Sequence, residues 1–230
     1  MRALRRLMPA ALAALSLPLL AGAGTCGIIY EISQRALVLD PIVRLDFESD
    51  SGGLEVFAFD RNGTVVSYAL KGFDASLEDI GHALDGDVLR AFILRGGPAE
   101  ISADFYFEVA RGTELTLRVE SGPVTLTALD APVSGAVNEG DVVGVALTTP
   151  TFDLEVAAGD VDLEWAAPPV ALRLEVAAGD VTLALPAGAY RCALDDADGA
   201  PQLDGVTCDP AAAGELAVSA PGGHIRVQGK

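Results

Sequence analysis

Residues 152–163 read Phe-Asp-Leu-Glu-Val-Ala-Ala-Gly-Asp-Val-Asp-Leu, and residues 172–183 read Leu-Arg-Leu-Glu-Val-Ala-Ala-Gly-Asp-Val-Thr-Leu. Eight consecutive residues are identical at an offset of 20. Leu172, Leu174 and Val176 alternate with Arg173 and Glu175, the period of two that marks a half-buried strand. Ala177-Ala178-Gly179-Asp180 interrupts the alternation as a tight turn, in which glycine supplies a positive φ and aspartate bonds nearby amides. Val181 and Leu183 then resume it.

Working outward, the same pattern recurs at 115–126 and 133–142, and with longer turns at 45–56 around Gly52-Gly53 and 216–227 around Gly223-His224. Gly122, Gly140, Gly159 and Gly179 stand 18, 19 and 20 residues apart, and Gly199 marks a further turn. This predicts an all-β fold: a β-solenoid, a parallel β-helix-like stack of ~20-residue repeats, with strands ~4.8 Å apart. The alternative is an antiparallel β-meander or sandwich with each Gly-Asp as a hairpin turn. Equal spacing favours the stack, because stacked windings need equal lengths. A hairpin is expected through Asn62-Gly63, leaving the first third locally antiparallel, and a short helix over Ala75–Leu84 with Ser76 as N-cap.

The first 25 residues read as a signal peptide. Arg2, Arg5 and Arg6 precede an apolar run, Leu7–Leu20, too short to span a bilayer, and then small residues up to Cys26. Ala21-Gly22-Ala23 suits cleavage to a soluble product. Ala23-Gly24-Thr25-Cys26 resembles a degenerate lipobox that would make Cys26 an acylated first residue. Of three cysteines, Cys192 and Cys208 can pair in an oxidising compartment, and a lipid would account for the remaining Cys26. The expected organisation is signal peptide 1–25, tether 26–41, and one β-repeat domain over 42–230.

The chain has 33 acidic and 15 basic residues among 230, a formal charge of −18. Such a surface repels nucleic acids and anionic headgroups, so membrane contact is expected through a lipid anchor only. Asp141, Asp160 and Asp180 each follow a turn glycine and would form a carboxylate ladder. They are candidates for a Ca²⁺ site, weighed against simple turn capping with the charge solvated. His82 and His224 stand alone in sequence. No Gly-x-Ser-x-Gly elbow and no phosphate-cradling loop occurs. Hence no catalytic residue and no cofactor is assigned. Trp165 continues an inward alternation and is expected in the core; exposed, it would be a sugar-stacking platform.

The order of these motifs resembles a bacterial envelope family known as the putative-adhesin family, built from Ser-Gly-Asp-Val-type repeats. The stretches carrying the resemblance are Leu45–Val56, Asn62-Gly63, Ile101–Val109, Arg111-Gly112-Thr113, the glycine-turn repeats and Leu185–Tyr190, within residues 42 to 228. The resemblance implies a β-helix-like domain in the cell envelope, often lipid-anchored. The expectation is a non-enzymatic exported protein offering a binding or scaffold surface to a protein or envelope polymer. The alternatives are an envelope-stress sensor and a polysaccharide-acting β-helix enzyme.

Overall fold

A computed structural model of the chain describes residues 30–38, 40–61, 63–72, 80–93 and 102–230. The signal peptide and Cys26 lie outside the described residues. Every element among those described is a strand, and the strands form two ten-stranded mixed sheets. Sheet A runs, in spatial order, β1 (Tyr30–Val38), β4 (Thr64–Gly72), β7 (Ser102–Ala110), β3 (Leu54–Phe59), β9 (Val124–Thr127), β11 (Val142–Leu147), β13 (Val161–Trp165), β15 (Val181–Leu185), β20 (Ile225–Gly229) and β17 (Gln202–Asp204). Sheet B runs β18 (Val206–Cys208), β16 (Gly188–Asp196), β19 (Glu215–Ala220), β14 (Ala171–Val176), β12 (Thr151–Ala158), β10 (Val133–Glu139), β8 (Glu114–Ser121), β2 (Arg44–Ser49), β6 (Val88–Ile93) and β5 (Ile80–Asp85).

Each repeat glycine carries the chain from sheet B into sheet A. The strands flanking it do not pair with each other; each pairs in parallel with its counterpart in another repeat, as Leu174 does with Leu154 and Leu183 with Leu163. The structure therefore has the two facing sheets of the sandwich alternative, without hairpins at the glycine turns. Alternation delivers what the sequence implies. Leu45, Leu115, Val133, Phe152, Leu172 and Leu216 fall in one buried row, and Leu54, Val124, Val142, Val161, Val181 and Ile225 in the row of the facing sheet. Together these rows belong to one apolar core.

The turns explain why glycine recurs. Gly159 has φ +141°, and a Cβ there would sit 2.1 Å from the carbonyl oxygen of Gly140. Gly122, Gly140, Gly179 and Gly223 face the backbone of the neighbouring turn in the same way. Backbone amides link the same turns: Gly140 N–H donates to Ala158 and Gly159 N–H to Ala178, each at 2.9 Å. Ala128 and Ala146 also hold left-handed conformations, φ 56° and 54°, and the register of β11 against β13 shifts between Gly144 and Leu147, around Ala146.

Chain order and spatial order diverge at both ends. The pair β2–β3 lies between β6–β7 and β8–β9, and the pair β19–β20 between β14–β15 and β16–β17. The first third is locally antiparallel, through β1·β4, β4·β7 and β5·β6. Two expectations need correction. No hairpin joins β3 to β4, because β7 separates them: its amides satisfy both neighbours. The end of the expected helix is instead β5, whose residues pair with β6; residues 75–79 lie outside those described. Residues 30–38, in the stretch expected to be a tether, form β1 and pair with β4.

Candidate functional site

In β7 the alternation buries Ala103, Phe105, Phe107 and Val109 and turns Asp104, Tyr106 and Glu108 outward. Phe105 and Phe107 pack edge-on against Phe47 of the facing sheet, at 5.0 and 5.7 Å between ring centres, which anchors the strand. Register then sets the neighbours. Tyr106 lies opposite Ser67 of β4 on one side and Glu55 of β3 on the other, and Glu55 lies opposite Thr125 of β9. One level along, Asp104 lies opposite Ala69. Gly53 aligns beside it with no side chain, and Pro123 follows.

Small residues beside a large ring leave a groove of about 670 Å³ on the outer face of sheet A, bordered by Glu55, Ser67, Asp104, Tyr106, Pro123 and Thr125. That size falls in the range of small-molecule sites, roughly 300–1,000 Å³. Asp104 is held in place: its Oδ1 accepts the Gly53 N–H at 2.8 Å. The backbone of Glu55 is paired in the sheet on both sides, and its side chain is exposed, with no hydrogen bond or ion pair from its carboxylate to another described residue. Arg35 of β1 lies in register opposite Ser67, on the edge of the sheet beyond the groove. Beyond it on the same face, Phe57 and Phe59 lie 4.3 Å apart with their rings tilted, the Arg61 guanidinium lies 4.9 Å over Phe59 and pairs with Glu108, and Val143 and Val145 are 39% and 42% exposed.

The outer face of sheet B differs in character. There Arg173 donates to Glu175 at 2.7 Å and lies 4.0 Å from Asp153. The hydrogen bond to Glu175 raises its pKa above the ordinary arginine value, with Asp153 and Glu155 adding to the effect. Arg191 pairs likewise with Glu215 at 2.5 Å. In-register carboxylates such as Glu155 and Glu175 are thus interleaved with guanidinium groups, which offsets the repulsion of like charges on adjacent strands.

Asp141, Asp160 and Asp180 stand in consecutive turns. Each carboxylate accepts a backbone N–H from the next turn, not its own: Asp141 from Asp160, Asp160 from Asp180, and Asp180 from His224, all at 2.9 Å. The ladder stops where Gly53 and Pro123 occupy the same level. Gly53 has no carboxylate to offer, and Pro123 has no N–H that needs one. Among the described residues no group of three or more His, Cys, Asp or Glu is arranged to hold a metal ion. His224 Nδ1 is 3.6 Å from Asp198, and His82 is exposed on β5.

Trp165 is 2% exposed and meets Phe152 edge-on at 5.4 Å, so it is core and offers no platform to a sugar. Its indole N–H is buried and has no acceptor. Cys192 and Cys208 form a disulfide that ties β18 to β16. Sequence reading did not single out the groove residues. The one available signal was Tyr106, polar-tipped and out of phase with Phe105 and Phe107. Its neighbours come from strands whose lateral order does not follow the chain.

No family model matches the chain, and no curated protein matches it. Solved structures similar to it include a putative cell adhesion protein from Clostridium sporogenes, at 11% identity and a TM-score of 0.45, covering 87% of this chain and 100% of that one. A putative adhesin from Bacteroides fragilis is similar at 13% identity and a TM-score of 0.42, covering 87% of this chain and 97% of that one. A putative lipid binding protein from Parabacteroides distasonis, at 11% identity and a TM-score of 0.38, covers 87% and 97%.

Proposed function

We propose that this chain is an exported, non-enzymatic protein of the bacterial cell envelope, held at a membrane by a lipid on Cys26, whose outer sheet faces act as a binding or scaffold surface. The observation that carries this reading is the outer face of sheet A. There Tyr106, Phe57, Phe59, Val143 and Val145 form an aromatic and aliphatic patch, partly exposed among the described residues, on a parallel-stranded support. Side chains of this type are costly to leave in water, and such patches mark sites of contact. The repeat register supports reading the support as a two-sided solenoid: turn stacks upon turn at offsets of 18 to 20 residues, as Val142 on Val124 and Val161 on Val142.

Two experiments test this. Mass spectrometry of the mature N-terminus should find acylated Cys26; an unmodified Gly24 would remove the anchor from the proposal. The immobilised protein should retain material from an envelope extract, and Val143→Asp with Val145→Asp should abolish retention while the melting temperature holds. Equal retention by wild type and double variant would assign binding elsewhere.

A further inference from the structure

The buried rows lose their cover at one end of the molecule. In sheet A, Leu163, Leu183 and Val227 are fully buried, and Leu203 of β17, next in the same row, is 39% exposed. In sheet B, Leu154, Leu174 and Val218 are buried, and Leu194 of β16, next in that row, is only partly so. The chain starts a further strand here and abandons it. Strand β18 pairs with residues 188–190, and the Asp209 N–H adds a bond to the Tyr190 carbonyl at 2.9 Å. Asp209 then opens a turn, accepting the Ala211 and Ala212 N–H groups. Beyond that point residues 192–196 of β16 have β19 on one side and no strand among the described residues on the other. The Arg191 N–H donates to Gly214, toward β19, so alternation turns the amides of Cys192 and Leu194 to the bare side. Such an edge is a template for another strand. Strands β16 to β20 and the turns between them are described without a gap.

Charge selects the occupant. Residues 188–210 include five aspartates and one arginine. Arg191 is held by Glu215, and Arg226 and His224 face Gln202 and Asp198. A second copy meeting this edge would bring like charges together, and an acidic strand would meet the same repulsion. We propose that the bare edge of β16 takes an extended basic segment of another protein as an added strand, in the line that β18 begins. Lysine or arginine at alternate positions of that segment meets Asp195, which points outward, and the apolar residues between them cover Cys192 and Leu194. This surface lies apart from the outer-face patch and uses none of its residues.

The test is calorimetry and amide hydrogen exchange on the disulfide-intact protein with three octapeptides. One alternates lysine and valine, one alternates glutamate and valine, and one is the lysine peptide with prolines at its two central positions, which removes their donors. The lysine peptide should bind and raise protection of the Cys192 and Leu194 amides at least tenfold, leaving β5 at the far edge of sheet B unchanged. The glutamate and proline peptides should bind at least tenfold more weakly. Asp195→Lys, at an exposed position, should weaken the lysine peptide several-fold with an unchanged melting temperature, and Val143→Asp with Val145→Asp should leave its binding intact. The proposal is overturned if the lysine peptide does not bind, if the glutamate or proline peptide binds as well as it does, or if protection rises elsewhere and not at β16. It is overturned too if sedimentation shows a dimer whose Cys192 and Leu194 amides are already protected, because a second copy then holds the edge.

Discussion

A methyl group is enough to separate the residues this fold requires from those it tolerates. At Gly159 an alanine Cβ would enter the carbonyl of Gly140, which belongs to backbone and cannot move without shifting the neighbouring turn. Gly159→Ala should therefore cost on the order of 3–5 kcal/mol in urea denaturation, at the upper end of single substitutions. Ala146, at φ 54°, presents the opposite case: a side chain held where glycine is at ease. Ala146→Gly should be neutral or stabilising by up to about 1 kcal/mol, because relief of the left-handed strain offsets the added freedom of the unfolded chain. Trp165 combines good packing with an indole N–H that has no acceptor. Trp165→Phe removes that orphan donor with little loss of apolar volume and should change stability by less than about 1.5 kcal/mol. Trp165→Ala should cost about 3–5 kcal/mol. Urea midpoints, read by circular dichroism, would distinguish the two.

At the scale of elements, the end of sheet B that carries β16 and β18 depends on a covalent tie. The strand β18 has three residues and pairs only with β16, too little ladder to hold an edge by itself. The Cys192–Cys208 disulfide closes a loop over a sequence separation of 16. On the chain-entropy view its removal should cost about 3 kcal/mol, measured as the shift of the urea midpoint with reductant or in the double alanine variant. Two buried phenols set an alkaline limit. Tyr190 donates to the Pro186 carbonyl at 2.9 Å, Tyr68 packs near Phe105, and burial raises both pKa values above that of a free phenol. A raised value favours the protonated form in the folded state. The contribution is thus complete below about pH 10 and is lost as pH rises through the folded-state values. A stability profile should be level approaching pH 10 and fall beyond it; Tyr190→Phe should shift the fall to higher pH.

At the scale of the molecule, the chain carries a formal charge of −18. Mutual repulsion in the folded state is screened by salt, with a Debye length near 10 Å at 0.1 M. The melting temperature should rise between low ionic strength and about 0.5 M sodium chloride; a fall would mean that local ion pairs such as Arg173–Glu175 outweigh the net repulsion. The insertion of β2–β3 and β19–β20 between strand pairs that are not their chain neighbours makes most pairings non-local. That pins the first and last complete repeats inside the assembly, where both sides of each strand are bonded and neither is left as an open edge.

Much of this could be read from the chain alone. Leucine and valine at every second position, with glycine where the path turns, state that strands alternate between two sheets and which side of each is dry. Steric exclusion at the glycine and the cost of hydrating aliphatic side chains are local, so they are written in local order. The cysteine pair was legible for the same reason, since it answers to parity and compartment. That β3 and β4 would not form a hairpin across Asn62-Gly63 was not legible, because a turn signal does not say which strand will receive a neighbour's amides. The groove stayed hidden too: Ser67, Tyr106, Glu55 and Thr125 lie on four strands whose neighbours were chosen by packing. Side-by-side placement of distant segments is settled by competition for one shared core, and no window of sequence contains that competition.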